Sequence, residues 1–272
     1  MLIPIFKKSK RLEIPLSFLA SSSLSVAASI TPASEVIIDA SFNNTADGTL
    51  ENFSLLSNSI GNPAWNNATG EATMSIDDAS SGTVGCVSDG SFNGSQFSAI
   101  TASFTVASIT DPDGQPTHNG HWVGLTGNNT ELWNNSQLAG GADGWALGIR
   151  YLGGVVNFVY DNASGNEINI SSLGSYSLAS LQDGYTVDYR FDSSGWEVCL
   201  TGITGSVDSS GSWPAAFDYT TLTNDSSVFA SMAYQQANEA GTVVELTSIS
   251  VNGDSLATTT TLTPTTLFTT NA

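Results

Sequence analysis

Between Tyr185 and Gly202 apolar and polar residues alternate twice, once on each side of a turn. Tyr185, Val187, Tyr189 and Phe191 alternate with Thr186, Asp188 and Arg190, which is the period of a half-buried strand. Asp192 to Gly195 supply turn chemistry. Trp196, Val198 and Leu200 then alternate with Glu197, Cys199 and Thr201. Pairing Phe191 with Trp196 sets Tyr189 opposite Val198 and Val187 opposite Leu200, so every large apolar side chain falls on one face. The same register puts Arg190 opposite Glu197, as a cross-strand ion pair on the solvated face. A slip of one residue would turn the apolar face to water, so the register is well specified.

The pattern repeats upstream. Trp145 to Tyr151 and Val155 to Asp161 predict a second hairpin around Gly153-Gly154, a two-residue loop of the I′ or II′ kind. Leu147, Ile149, Tyr151, Val156, Phe158 and Tyr160 share one face of it, and Arg150 stands opposite Asn157 on the other. Further strands are expected over Glu35–Ala40, Thr49–Ser57, Met74–Ile76, Gly82–Val87, Phe97–Ile109, His121–Thr126, Val228–Gln235 and Thr242–Val251. Ile168–Ile170 and Tyr176–Leu178 are weaker signals. Gly205 to Thr223 reads as a long loop carrying Trp213 and Tyr219, and Asn128 to Gly144 as a polar loop carrying Trp133. No stretch has helical periodicity. About a dozen short strands without intervening helices describe an antiparallel sandwich or barrel.

Composition sharpens this picture. Charged residues make up 11% of the 272, against about 25% in ordinary chains. The formal charge is -19, and four of the six basic residues, Lys7, Lys8, Lys10 and Arg11, lie at the start. The remainder holds only Arg150 and Arg190. A chain this acidic is repelled by phosphate backbones and anionic lipid, which argues against a nucleic-acid partner.

The basic cluster is followed by a moderately apolar run ending in small residues, the order of a secretory signal peptide. Residues 1–28 are expected to be removed, leaving a secreted chain. A membrane anchor is the alternative, but the run is shorter than the ~20 apolar residues a span needs. Cys86 and Cys199 are consistent with one disulfide in an oxidising compartment or with two unpaired thiols. The final stretch, residues 256–272, is Thr-rich with one Pro and reads as a tail or linker.

The order of pieces resembles the concanavalin A-like lectin/glucanase superfamily, jelly-roll sandwiches that include the laminin-G-like domains. The Trp65-to-Met74 segment, HWVGLTG, GWALGIRYLGG, YRFDSSGWEVCLTG and the closing EAGTVVELTSISVNGD carry the resemblance. It spans residues 35–254. It implies an all-β, antiparallel jelly-roll β-sandwich of two curved sheets, with carbohydrate or a surface polysaccharide as partner and calcium as a possible cofactor.

Glycosidases of that superfamily place three carboxylates on alternate residues of one strand. The nearest approach here is Asp188, Arg190 and Asp192, with a basic residue in the middle. Jelly-roll lyases use Arg, Gln, His and Tyr, and the only histidines here are His118 and His121. The expected function is a non-catalytic, lectin-like module. A structural or adhesive domain without small ligand and a divergent polysaccharide-degrading enzyme are the alternatives. Arg150 and Asn157 are candidate ligand contacts, because Arg150 faces an amide rather than an acid and could clamp an acidic sugar or a sulfate. Trp133 and Trp213 are candidate stacking platforms in polar loops. Asp111 and Asp113 offer hard oxygen ligands for calcium.

Overall fold

A computed structural model of the protein describes residues 34–41, 53–57, 61–66, 71–76, 82–110, 120–128, 133–134, 137–138, 144–162, 167–177, 179–203, 206–215, 217, 219–224, 227–236 and 241–256. These residues belong to one unit, Thr31–Ala272. The expected leader, residues 1–28, and the Thr-rich stretch beyond Leu256 lie outside the described residues, as do Asp111, Asp113 and His118.

The strands in chain order are β1 (Ser34–Ser41), β2 (Phe53–Ser57), β3 (Gly61–Asn66), β4 (Glu71–Ile76), β5 (Gly82–Ser88) and β6 (Phe97–Thr110). Next come β7 (Gly120–Thr126), β8 (Trp133–Asn134), β9 (Gln137–Leu138), β10 (Ala146–Leu152), β11 (Val155–Asp161) and β12 (Glu167–Ser175). The last are β13 (Tyr185–Asp192), β14 (Gly195–Thr201), β15 (Val207–Gly211), β16 (Phe229–Gln236) and β17 (Thr242–Ser255). Two short helices, α1 (Ala179–Gln182) and α2 (Thr220–Asn224), interrupt them.

One sheet has the order β15-β14-β13-β6-β17-β4-β3, with β1 also paired to β17. The other runs β12-β11-β10-β7-β16-β5-β2. Every pairing is antiparallel, including the return of β17 beside β1. The architecture is an all-β sandwich.

Both hairpins fold in the register that alternation dictates. Phe191 pairs with Trp196, Tyr189 with Val198 and Val187 with Leu200. Arg150 pairs with Asn157, and the β10–β11 turn places Gly153 at φ 63° and Gly154 at φ 80°. Two positive φ values define type I′, which glycine adopts without strain.

The inward faces of the two sheets meet in one apolar core. Phe158 of β11 stacks on Phe191 of β13 at 5.9 Å and lies 4.9 Å from Trp196. Burying such a ring stabilises by roughly 1.5–3 kcal/mol. Two tyrosines of β13 cross the core. The Tyr185 hydroxyl bonds His121 Nε2 of β7, and the Tyr189 hydroxyl donates to the Val123 carbonyl at 2.6 Å.

The outward faces differ. On the β13 sheet Thr101, Ser103, Thr105, Asp188 and Arg190 meet solvent to varying degrees. On the β10 sheet Trp122, Ala146 and Val159 are 0% exposed and form a second small apolar cluster. The short β8 runs close to β7 and β16 on this sheet.

Four expectations change. Asn128 to Gly144 is not all loop, since β8 and β9 lie within it. Gly205 to Thr223 is not all loop, since it holds β15 and α2. The weak signal at Ile168–Ile170 falls within β12, whereas Tyr176 and Ser177 of the second one lie beyond its end at Ser175, outside any strand. The disulfide is not formed, and Cys86 and Cys199 are free thiols. Cys86 of β5 is buried in the core at 0% exposure, in register with Leu55 of β2 and Met232 of β16. Cys199 of β14 belongs to the other sheet and is half-buried. The thiols point into different environments from opposite layers, and stacked sheets stand ~10 Å apart.

Candidate functional site

Arg150 and Asn157 lie side by side on the outer face of the β10 sheet, as their hairpin requires. Asn157 is buried at 7% exposure. Arg150 does find an acid: its Nη1 is 2.6 Å from Glu167 Oε1 of β12. Burial raises the Glu167 carboxyl above its ordinary value, and the Arg150 charge opposes that shift. Arg150 Nε and Glu167 Oε2 are buried without a hydrogen-bond partner among the described residues. Glu167 is a site residue that alternation did not flag, because β12 is an edge strand with a polar, irregular pattern. Trp133 lies in β8, and its side chain falls outside the described residues.

Trp213 sits at the edge of the sandwich, half-buried. Its indole Nε1 donates to the Asp192 carbonyl at 2.8 Å, which fixes the ring against the end of β13. Tyr219 stacks beside it at 5.9 Å and 23°, and Phe217 packs at 4.4 Å. The Tyr219 hydroxyl reaches the Phe191 carbonyl at 3.5 Å. Burial first, and the Asp192 charge second, push the Tyr219 phenol up to about 12. Tyr219 lies just before α2 in the segment read as loop, so sequence offered only its aromatic character.

Arg190 neighbours this corner, and its expected partner is corrected. It pairs in register with Glu197, but its guanidinium turns to Asp192 at 3.8 Å and Asp254 at 3.6 Å. Asp192, Ala99 and Asp254 lie in one cross-strand row, and the small Ala99 leaves the two carboxylates facing each other across it. These distances exceed direct hydrogen bonds, so the guanidinium donors are not spent on the two acids. The Asp192 carboxyl itself accepts from the Ser194 hydroxyl at 2.5 Å and the Ser194 amide at 2.8 Å. Those hydrogen bonds, the hydroxyl foremost, hold its pKa below the ordinary carboxylate value.

Two adjoining depressions open on the outer face of β13, β14 and β15. One, of about 340 Å³, is lined by Asp188, Arg190, Glu197, Cys199, Asp208 and Ser210 among others. The second, of about 240 Å³, shares Arg190, Glu197 and Ser210 and extends to Asp192 and Trp196. Together they form a shallow groove that ends at Asp192, whose backbone carbonyl holds the Trp213 indole. Register explains the lining, since Asp188 pairs with Cys199 and Cys199 with Asp208. A hydrogen bond to Asp208 is the main cause that pushes the Cys199 thiol up to about 11, so it stays protonated. The groove offers carboxylate acceptors, a serine hydroxyl and guanidinium donors, the polar complement of a hydroxylated ligand.

The calcium expectation finds no support within the groove. Among the described residues no group of three or more His, Cys, Asp or Glu side chains is placed to hold a metal ion.

The fifteen described strands of the two large sheets make a sandwich that matches solved structures of lectins and of a lectin-like protein. Arcelin-5, a lectin-like defense protein from Phaseolus vulgaris, superposes with TM-score 0.55 at 10% identity, over 84% of this chain and 100% of that one. Metal-free lectin I-B4 from Griffonia simplicifolia gives 0.56 at 9% identity, over 80% of this chain and 100% of that one. The fold is the concanavalin A-like jelly roll. A third jelly-roll match is the Bauhinia forficata lectin in complex with GalNAc, at TM-score 0.54 and 11% identity, covering 83% and 99% of the two chains. No protein-family model and no curated protein matches the sequence.

Proposed function

We propose that the protein is a secreted, non-catalytic carbohydrate-binding module of lectin type. The observation that carries this reading is the half-buried Trp213–Tyr219 stack at the end of β13, together with the polar groove that Arg190 and the carboxylates line on the outer face of that strand. Aromatic faces pack against the apolar side of a sugar ring while charged groups take its hydroxyls. Arg150 and Asn157 are a second candidate set on the other sheet, and a largely covered one, since Arg150 is paired with Glu167 and Asn157 is buried. Structures sharing the fold include a lectin in complex with GalNAc and the carbohydrate recognition domain of Emp46p. Asp192, held ionised by its hydrogen bonds, is shifted the wrong way for a general acid. The structural or adhesive alternative draws support from the hydroxyl-rich face of Thr101, Ser103 and Thr105.

A glycan array probed with and without calcium tests the reading and also covers Asp111 and Asp113. Binding to at least one glycan class is expected, and silence on every glycan would overturn it. Trp213→Ala is expected to weaken binding about tenfold, as loss of an aromatic anchor does, with circular dichroism showing the fold retained. Export is expected to remove residues 1–28, which N-terminal sequencing of the exported chain checks.

A further inference from the structure

We draw no further inference here: the strongest candidate, the outer face of the β10 sheet where Arg150 Nε, Glu167 Oε2 and Ser231 Oγ are buried without a hydrogen-bond partner among the described residues, carries nothing, because nothing in the structure shows what covers that face.

Discussion

Acidification is expected to destabilise the fold by about 1.4 kcal/mol for each pH unit below the ordinary histidine range, and His121 is the cause. This residue of β7 is 1% exposed, in the core between the sheets. Its Nδ1 lies 3.1 Å from the Ala233 carbonyl, which can only accept, so Nδ1 carries the proton. Nε2 then accepts from the Tyr185 hydroxyl. The rings of Tyr185 and Tyr234 close the site, each with its centroid 5.6 Å from that of His121. Charging Nε2 there would bury a cation in the core and set its N–H against the Tyr185 hydroxyl. Burial accordingly lowers the His121 pKa from 6.5 to about 3, with the Ala233 bond opposing. The sign follows directly. Between those two values the unfolded chain takes up a proton that the folded chain refuses, so stability is complete above pH 6.5 and falls as pH drops toward 3. At roughly pH 4 the loss reaches about 3 kcal/mol, a large share of a typical domain's stability. His121→Gln keeps an amide donor and acceptor but does not titrate. Urea melts across pH should show the wild-type midpoint falling steeply on acidification and the variant's midpoint falling less. Parallel curves would show that His121 is not the titrating group.

Why His121 escaped the sequence reading is instructive. It stands at the start of HWVGLTG, where a histidine at a strand's first position carries no local sign of burial. Its burial is dictated by Tyr185, sixty-four positions away, whose hydroxyl supplies the partner that makes a buried imidazole tolerable. Local alternation is blind to such a partner. The same limit explains the two corrected pairings. Hairpin register put Arg190 opposite Glu197, and the register holds. The side chain nevertheless leans toward Asp254 of β17, a strand two places along the sheet. For the cysteines, alternation gave the outward direction of Cys199 but not that Cys86 occupies the inner face of the opposite layer. What was legible was everything that depends on period two with strong apolar contrast: both hairpins, the long β6 and the closing β17. What was illegible was polar. β15 reads VDSSG and has one apolar residue, so only its pairing with β14 reveals it as a strand. That strand carries Asp208 and Ser210, which complete the groove, so the candidate site was the least legible part of the fold.

The groove strand is also the strand that pegs the sheets together. Along β13, Asp188 and Arg190 face outward into the groove while Tyr185 and Tyr189 face inward across the core. Any loosening on the inner face should reach the groove through one backbone.

Tyr189→Phe is expected to cost about 2–4 kcal/mol, well beyond the loss of one hydroxyl contact. The Ile149 amide donates to the Tyr189 oxygen at 2.9 Å, and that hydroxyl donates to the Val123 carbonyl at 2.6 Å. Ile149 and Val123 are register partners on β10 and β7. The phenol is therefore inserted into the ladder, bridging an amide and a carbonyl of two adjacent strands. Burial pushes its pKa well above the ordinary phenol value, so it remains a neutral donor. Phenylalanine would leave both backbone groups unpaired in a dry core, each at roughly 1–3 kcal/mol. The strands are poorly placed to relax by shifting. Next in the ladder, Gly124 and Gly148 face each other so closely that a Cβ would lie 2.2 Å from the Leu147 carbonyl oxygen or 2.1 Å from that of Val123. Denaturant midpoints should fall with an unchanged slope, and the variant's affinity for the glycan identified on the array should fall with them under conditions where it stays folded. A loss below about 1 kcal/mol would mean that β7 and β10 close up and re-form a direct ladder bond. The bridge would then be a convenience of packing rather than a strut behind the groove.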